Sequence, residues 1–203
     1  MISLMRVKIL SEYKNEYYIK SILKSHKVIR NSIISRISQI TERLRDIDES
    51  VIYSTSIPGI DYSKTSVSNS DISDSTSVAA LEIIKRKEKL YSELAVCRSE
   101  LDEMEKVFDI YRSLQTHMPI HFEVCNDIYI RNLTYETVKI NYRKGKDTVI
   151  KMSENVISII CKLFNLGYNS EQITFMSSNE FADLIGTELF EKINKIEANE
   201  KSN

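Results

Sequence analysis

His117, His121 and Cys125 recur at four-residue spacing and are the chain's nearest approach to a metal-ligand set. On an unbroken helix that spacing puts three side chains on one face, and imidazole nitrogen with thiolate suits zinc. Pro119 interrupts the run between the two histidines, and no fourth ligand lies close by in sequence. The set is therefore read as structural, and no metal or cofactor is expected. Asp102, Glu103 and Glu105 offer paired carboxylates, but they sit in a heptad-patterned stretch and read as a solvated helix face. There is no Gly-rich phosphate loop and no Cys-x-x-Cys pair. Cys97, Cys125 and Cys161 are far apart within apolar helical patterns and are expected to be buried free thiols. No catalytic constellation emerges, so the expectation is a protein that is not an enzyme.

The other chemistry on offer is electrostatic. Between Ile130 and Lys151, Arg131, Lys139, Arg143, Lys144, Lys146 and Lys151 face only Glu136 and Asp147, a local net charge of +4. The whole chain has a formal net charge of −1, so the remainder carries −5. No global field attracts nucleic acid or an acidic membrane, and any such affinity has to come from this patch. Its centre is the turn Arg143-Lys144-Gly145-Lys146-Asp147, between two short amphipathic stretches. Thr134 is placed to cap the first, Tyr135 to Asn141. The second starts near Lys146 and turns Val149, Met152, Val156 and Ile160 inward. Gly145, one of only four glycines, is expected at the bend. Two short helices about a tight basic turn follow the helix-turn-helix plan, here near 134–160. Arg143, Lys144, Lys146 and Lys151 are the candidate phosphate contacts, with Asp147 and Thr148 facing base edges of double-stranded DNA.

The elements that must position this patch are helical. The chain combines 42% hydrophobic and 28% charged residues with only four Gly and two Pro in 203 residues, few breakers for so many helix formers. From Ile19 an apolar seam steps by threes and fours through Ile22, Ile29, Ile33, Ile37, Ile40, Leu44, Ile47 and Val51, with His26 as its interruption. A second seam runs through Ala80, Ile83, Leu90, Leu94, Cys97, Leu101, Met104, Phe108 and Tyr111, interrupted by Lys87. Between them Tyr53 to Ser77 is rich in Ser and Thr and contains Pro58-Gly59, so it reads as a loop, with Asp74 as the N-cap of the second helix. Pro119 is expected to close that helix. The segment after Phe164 is expected to add one or two helices through Phe181, Leu184, Ile185, Leu189, Phe190 and Ile193, and the polar tail from Asn194 to fray.

The expected fold class is all-α. A long antiparallel helical hairpin, a coiled-coil-like arm, occupies 1–118, and a compact helix-turn-helix domain with extra C-terminal helices occupies 119–203. No apolar run reaches membrane-spanning length, so no membrane association and a cytoplasmic location are expected. The arm also offers a homodimer surface. A coiled-coil interaction module without DNA binding is the alternative function.

Three stretches resemble a family of small phage-encoded transcriptional regulators, the ArpU and RinA kind, whose C-terminal unit is similar to region four of sigma factors. Ser73-Asp74-Ser75-Thr76-Ser77-Val78-Ala79-Ala80 is similar to a Ser-Asp-Pro-Thr motif that opens the family's second long helix, with Ser75 where Pro is usual. Asp127-Ile128-Tyr129-Ile130-Arg131-Asn132-Leu133-Thr134-Tyr135-Glu136-Thr137-Val138 resembles the entry into the first helix of the motif. Thr148-Val149 and Lys151 match the start of the recognition helix. Gly145 stands where Ser is common, which removes a side-chain cap, and Asp147 where a basic or neutral residue is common. The resemblance covers roughly Ile33 to Ile160. It implies a phage or prophage regulator that binds promoter DNA and contacts RNA polymerase.

Overall fold

A computed structural model describes residues 15–55 and 72–200 of the chain. Its regular structure is all helical, with no strand among the described residues. Two long helices come first, α1 (Glu16–Thr55) and α2 (Ile72–Ser113). Six shorter ones follow: α3 (Pro119–Cys125), α4 (Tyr135–Asn141), α5 (Lys146–Asn165), α6 (Ser170–Thr174), α7 (Ser178–Ile185) and α8 (Thr187–Glu200). None of the described helices is long and apolar enough to cross a membrane.

The chain divides into two compact units. The second, Arg30–Leu101, consists of the adjoining stretches of α1 and α2. Ile33, Ile40 and Leu44 of one helix and Leu94 and Cys97 of the other are buried, as their seams require. Arg36 pairs with Glu100 (3.9 Å) and Asp48 with Lys87, so the partner's number falls as the other rises and the two stretches run antiparallel. Lys87, which breaks the apolar spacing, meets its counter-charge across the pair. Ala80, expected in the seam, is exposed.

The first unit joins residues through Ile29 with those from Asp102 onward. The division expected at 118–119 falls inside it, because the adjoining end of α2 packs on α3. Tyr111 stacks on Phe122 (ring centroids 4.6 Å), and its hydroxyl reaches the Phe122 carbonyl at 3.4 Å. His26, the interruption in the first seam, stacks on Phe108 (3.8 Å). Glu103, expected on a solvated face, is half-buried and accepts a hydrogen bond from the Tyr18 hydroxyl. α5 is the centre of this unit. Val149, Met152, Val156, Ile157, Ile159, Ile160 and Leu163 are all buried, and the helix packs against α3 and α4.

Several boundaries differ from the sequence reading. Helix α1 runs through Thr55 and α2 begins at Ile72, so the ends of the expected 53–77 loop are helical. The rest of that loop, with Pro58-Gly59, lies outside the described residues. Asp74 falls within the first turn of α2 rather than at its cap. Pro119 opens α3 instead of closing α2, which ends at Ser113 and passes through a 3-10 turn (Leu114–Thr116). A first helical residue needs no N–H partner, and proline's fixed φ suits it. Three helices follow the turn after α5, not one or two. The tail from Asn194 remains helical in α8, with Glu197 buried.

Candidate nucleic-acid interface

α4 begins as its sequence requires. Thr134 is extended (φ −72°, ψ 151°) and its hydroxyl accepts the Thr137 amide at 3.2 Å, satisfying one first-turn donor. The helix ends in a Schellman closure. The Lys144 amide donates to the Lys139 carbonyl (3.1 Å) and the Arg143 amide to the Ile140 carbonyl (3.2 Å). That closure needs one left-handed residue, and Arg143 takes the position at φ +49°. The bend therefore falls at Arg143 and not at Gly145, where the sequence predicts it. Gly145 is instead extended (φ −67°, ψ 151°), a conformation open to any residue, and it forms the N-cap of α5 with no side chain to offer its amides.

The candidate residues do converge. Arg143, Lys146, Asp147 and Lys151 are exposed, and Lys144 and Thr148 are half-buried, on the turn and the first two turns of α5. Val149 and Met152 anchor the same turns in the core. The positive charges are partly spent internally. Glu136 of α4 accepts from Lys139 (2.6 Å) and from Lys146 (3.2 Å), and these two bonds hold its carboxyl below the ordinary glutamate range. The second of them ties α4 to the first turn of α5 across the bend. Arg131 pairs with Asp127 (2.8 Å), which removes it from the patch. Asp147, in the first turn of α5, favours the helix dipole and opposes a phosphate.

Two side-chain ties that the sequence reading did not assign hold this arrangement. Residues 126–130 continue α3 as one π-helical turn, closed by Asn132 at φ +56°. That turn buries Asp127, which accepts from Arg131 and from the Tyr142 hydroxyl at the end of α4. Burial first, then the Asp127 charge and hydrogen bond, push the Tyr142 phenol well above its usual range. Tyr129 of the same turn is hydrogen-bonded to Tyr135 of α4 and Ser153 of α5, and burial foremost raises its phenol too. The local run Asp127-Ile128-Tyr129 gives no hint of these partners, which lie up to two helices away.

The histidine–cysteine run disperses. His117 stacks on Phe181 (4.3 Å), with its Nε2 2.7 Å from the Ile173 carbonyl oxygen. His121 is fully buried and its Nδ1 donates to Glu197 of α8 at 2.8 Å. Cys125 is buried, and burial raises its thiol well above the usual range. All three cysteines are buried thiols, none of them in a disulfide. Among the described residues no three His, Cys, Asp or Glu side chains are placed to hold a metal. Comparisons with protein-family models, curated proteins and solved structures find no match to this chain.

Proposed function

We propose that the chain is a DNA-binding transcriptional regulator of the phage or prophage kind, working in the cytoplasm. In this reading α4 and α5 form a helix-turn-helix, and the antiparallel pair of α1 and α2 is a hairpin arm. The supporting observation is the arrangement about Gly145. A 20-residue helix presents its uncapped first turn at the surface beside Arg143, Lys144, Lys146 and Lys151. Free amides at a helix start and neighbouring cations act together on a phosphate. The lysines and Arg143 then position the backbone, and Thr148 and Asp147 face base edges. Contact with RNA polymerase rests on the family resemblance alone.

The test is fluorescence anisotropy with duplex DNA in low and in physiological salt. With about four phosphates neutralised, log affinity falls with log salt at a slope of about −3.6. The Lys144→Glu/Lys146→Glu/Lys151→Glu variant loses binding. Binding that is insensitive to salt, or that survives the triple reversal, overturns the reading.

One observation favours a second reading, a coiled-coil interaction module. Leu81, Ile84, Tyr91 and Val96 of α2 each expose half or more of their surface, away from the buried seam. A partner or a second copy covering that face accounts for them. Ile40 and Leu44 are already buried within the pair and are not available for that role.

A further inference from the structure

A groove of about 650 Å³ opens between α6 and α7 of the first unit. Tyr168, Phe175, Met176 and Leu184 give it apolar walls, and Glu180 and Asp183 give it an acidic rim. Phe175 is 87% exposed at its edge. The Glu180 carboxylate is fixed by the hydroxyl (2.7 Å) and amide (2.8 Å) of Ser177, which also hold it below the ordinary glutamate range. Such a surface suits an occupant that alternates apolar and basic side chains.

This chain carries one. Residues 1–14, which lie outside the described structure, interleave Leu4, Met5, Val7, Ile9 and Leu10 with Arg6, Lys8 and Lys14, and contain one acid, Glu12. Their net charge of +2 opposes that of the groove. The segment runs directly into α1, whose first turns belong to the same compact unit as the groove. In that unit Lys162 of α5 donates to the Leu184 carbonyl in the groove wall. Fourteen residues reach about 45 Å when extended. A tethered segment also has an effective concentration of about millimolar, so a weak contact suffices to hold it.

We propose that segment 1–14 docks in the α6–α7 groove, with apolar side chains over Phe175 and Leu184 and basic ones against Glu180 and Asp183. The inference is independent of DNA binding. The chain has no Trp, so Phe175→Trp reports on the groove alone. In the full chain its emission is expected to be blue-shifted and shielded from acrylamide. Removing residues 1–11 red-shifts it, and a peptide of residues 1–14 restores the shift saturably. A peptide with Arg6→Glu/Lys8→Glu binds at least tenfold more weakly. In the full-length chain, Ile9→Asp/Leu10→Asp reproduces the red shift without truncation. Identical exposed emission in the full and truncated chains overturns the proposal. So does a blue shift that survives truncation and grows with protein concentration, which assigns the groove to a second copy.

Discussion

Arg143 occupies a left-handed position that costs an L-residue about 1–2 kcal/mol, while Gly145, two residues on, uses none of its freedom. The two positions therefore make opposite demands. Arg143→Gly relieves the strain and is expected to raise stability by about 1 kcal/mol in thermal or urea unfolding. If Arg143 contacts phosphate, the same variant binds DNA more weakly and its salt slope shallows by about 0.9. A stability gain with unchanged binding removes Arg143 from the interface. At Gly145 a Cβ meets only the Thr148 hydroxyl, at 3.8 Å, so Ser fits and its oxygen can take a first-turn amide of α5. Gly145→Ser is expected to stabilise by about 0.5–1 kcal/mol, measured as a rise in Tm. The sequence made the turn visible but not which residue pays for it. Composition pointed to the glycine, whereas the bend is set by the hydrogen bonds that close α4, and those fall one residue after Tyr142.

At the scale of the elements, α8 is tied to α3 by one carboxylate. Glu197 accepts from the amides of Ile120 (3.0 Å) and His121 (3.1 Å) and from the His121 ring, while the other ring nitrogen of His121 is buried without a partner. Burial alone would raise the Glu197 carboxyl; the His121 ring and the two amides outweigh it and hold the group below its ordinary value. A carboxyl depressed in the folded state stabilises fully above its unfolded value of about 4.3, and that contribution is lost as pH falls through the folded value. Glu197→Gln is expected to cost about 2–3 kcal/mol at neutral pH, by loss of charge-assisted hydrogen bonds, and to flatten the acid limb of the Tm profile. Wild type and variant then converge as pH falls through the lowered folded value. Parallel profiles for the two proteins would mean that Glu197 does not titrate with unfolding. This tie was invisible in sequence because its ends lie 76 residues apart and a polar tail reads as fraying. What was legible was local: the Thr134 cap, the span Tyr135–Asn141 and the start of α5 at Lys146 each depend on residues within one turn. The seams were legible too, since heptad spacing repeats the same instruction along each helix. Lys87 and His26 looked like faults in them only because their partners, Asp48 and Phe108, come from the other long helix.

For the molecule as a whole, a formal charge of −1 leaves the basic turn without support from a wider field. If the proposed reading holds, four cations on one domain give only the weak affinity of non-specific contacts, on the order of 10⁻⁴–10⁻⁶ M at physiological salt. Under the proposed function, joining two such domains multiplies affinity by about 10²–10⁴ when both engage. The exposed face of α2 is the surface suited to that joining: Leu81, Ile84 and Tyr91 lie outside the buried seam of their own unit, so charging them leaves that seam intact. Leu81→Glu/Ile84→Glu/Tyr91→Glu is expected to turn a dimer into a monomer in sedimentation equilibrium, with circular dichroism unchanged. The same variant is expected to bind duplex DNA about a hundredfold more weakly, although Lys144, Lys146 and Lys151 are untouched. Loss of the dimer with full DNA affinity would separate the two surfaces and give the face on α2 to a different purpose. A wild type that is monomeric at every concentration would assign that face to a partner other than a second copy, and the interaction-module reading would then take precedence for this part of the chain.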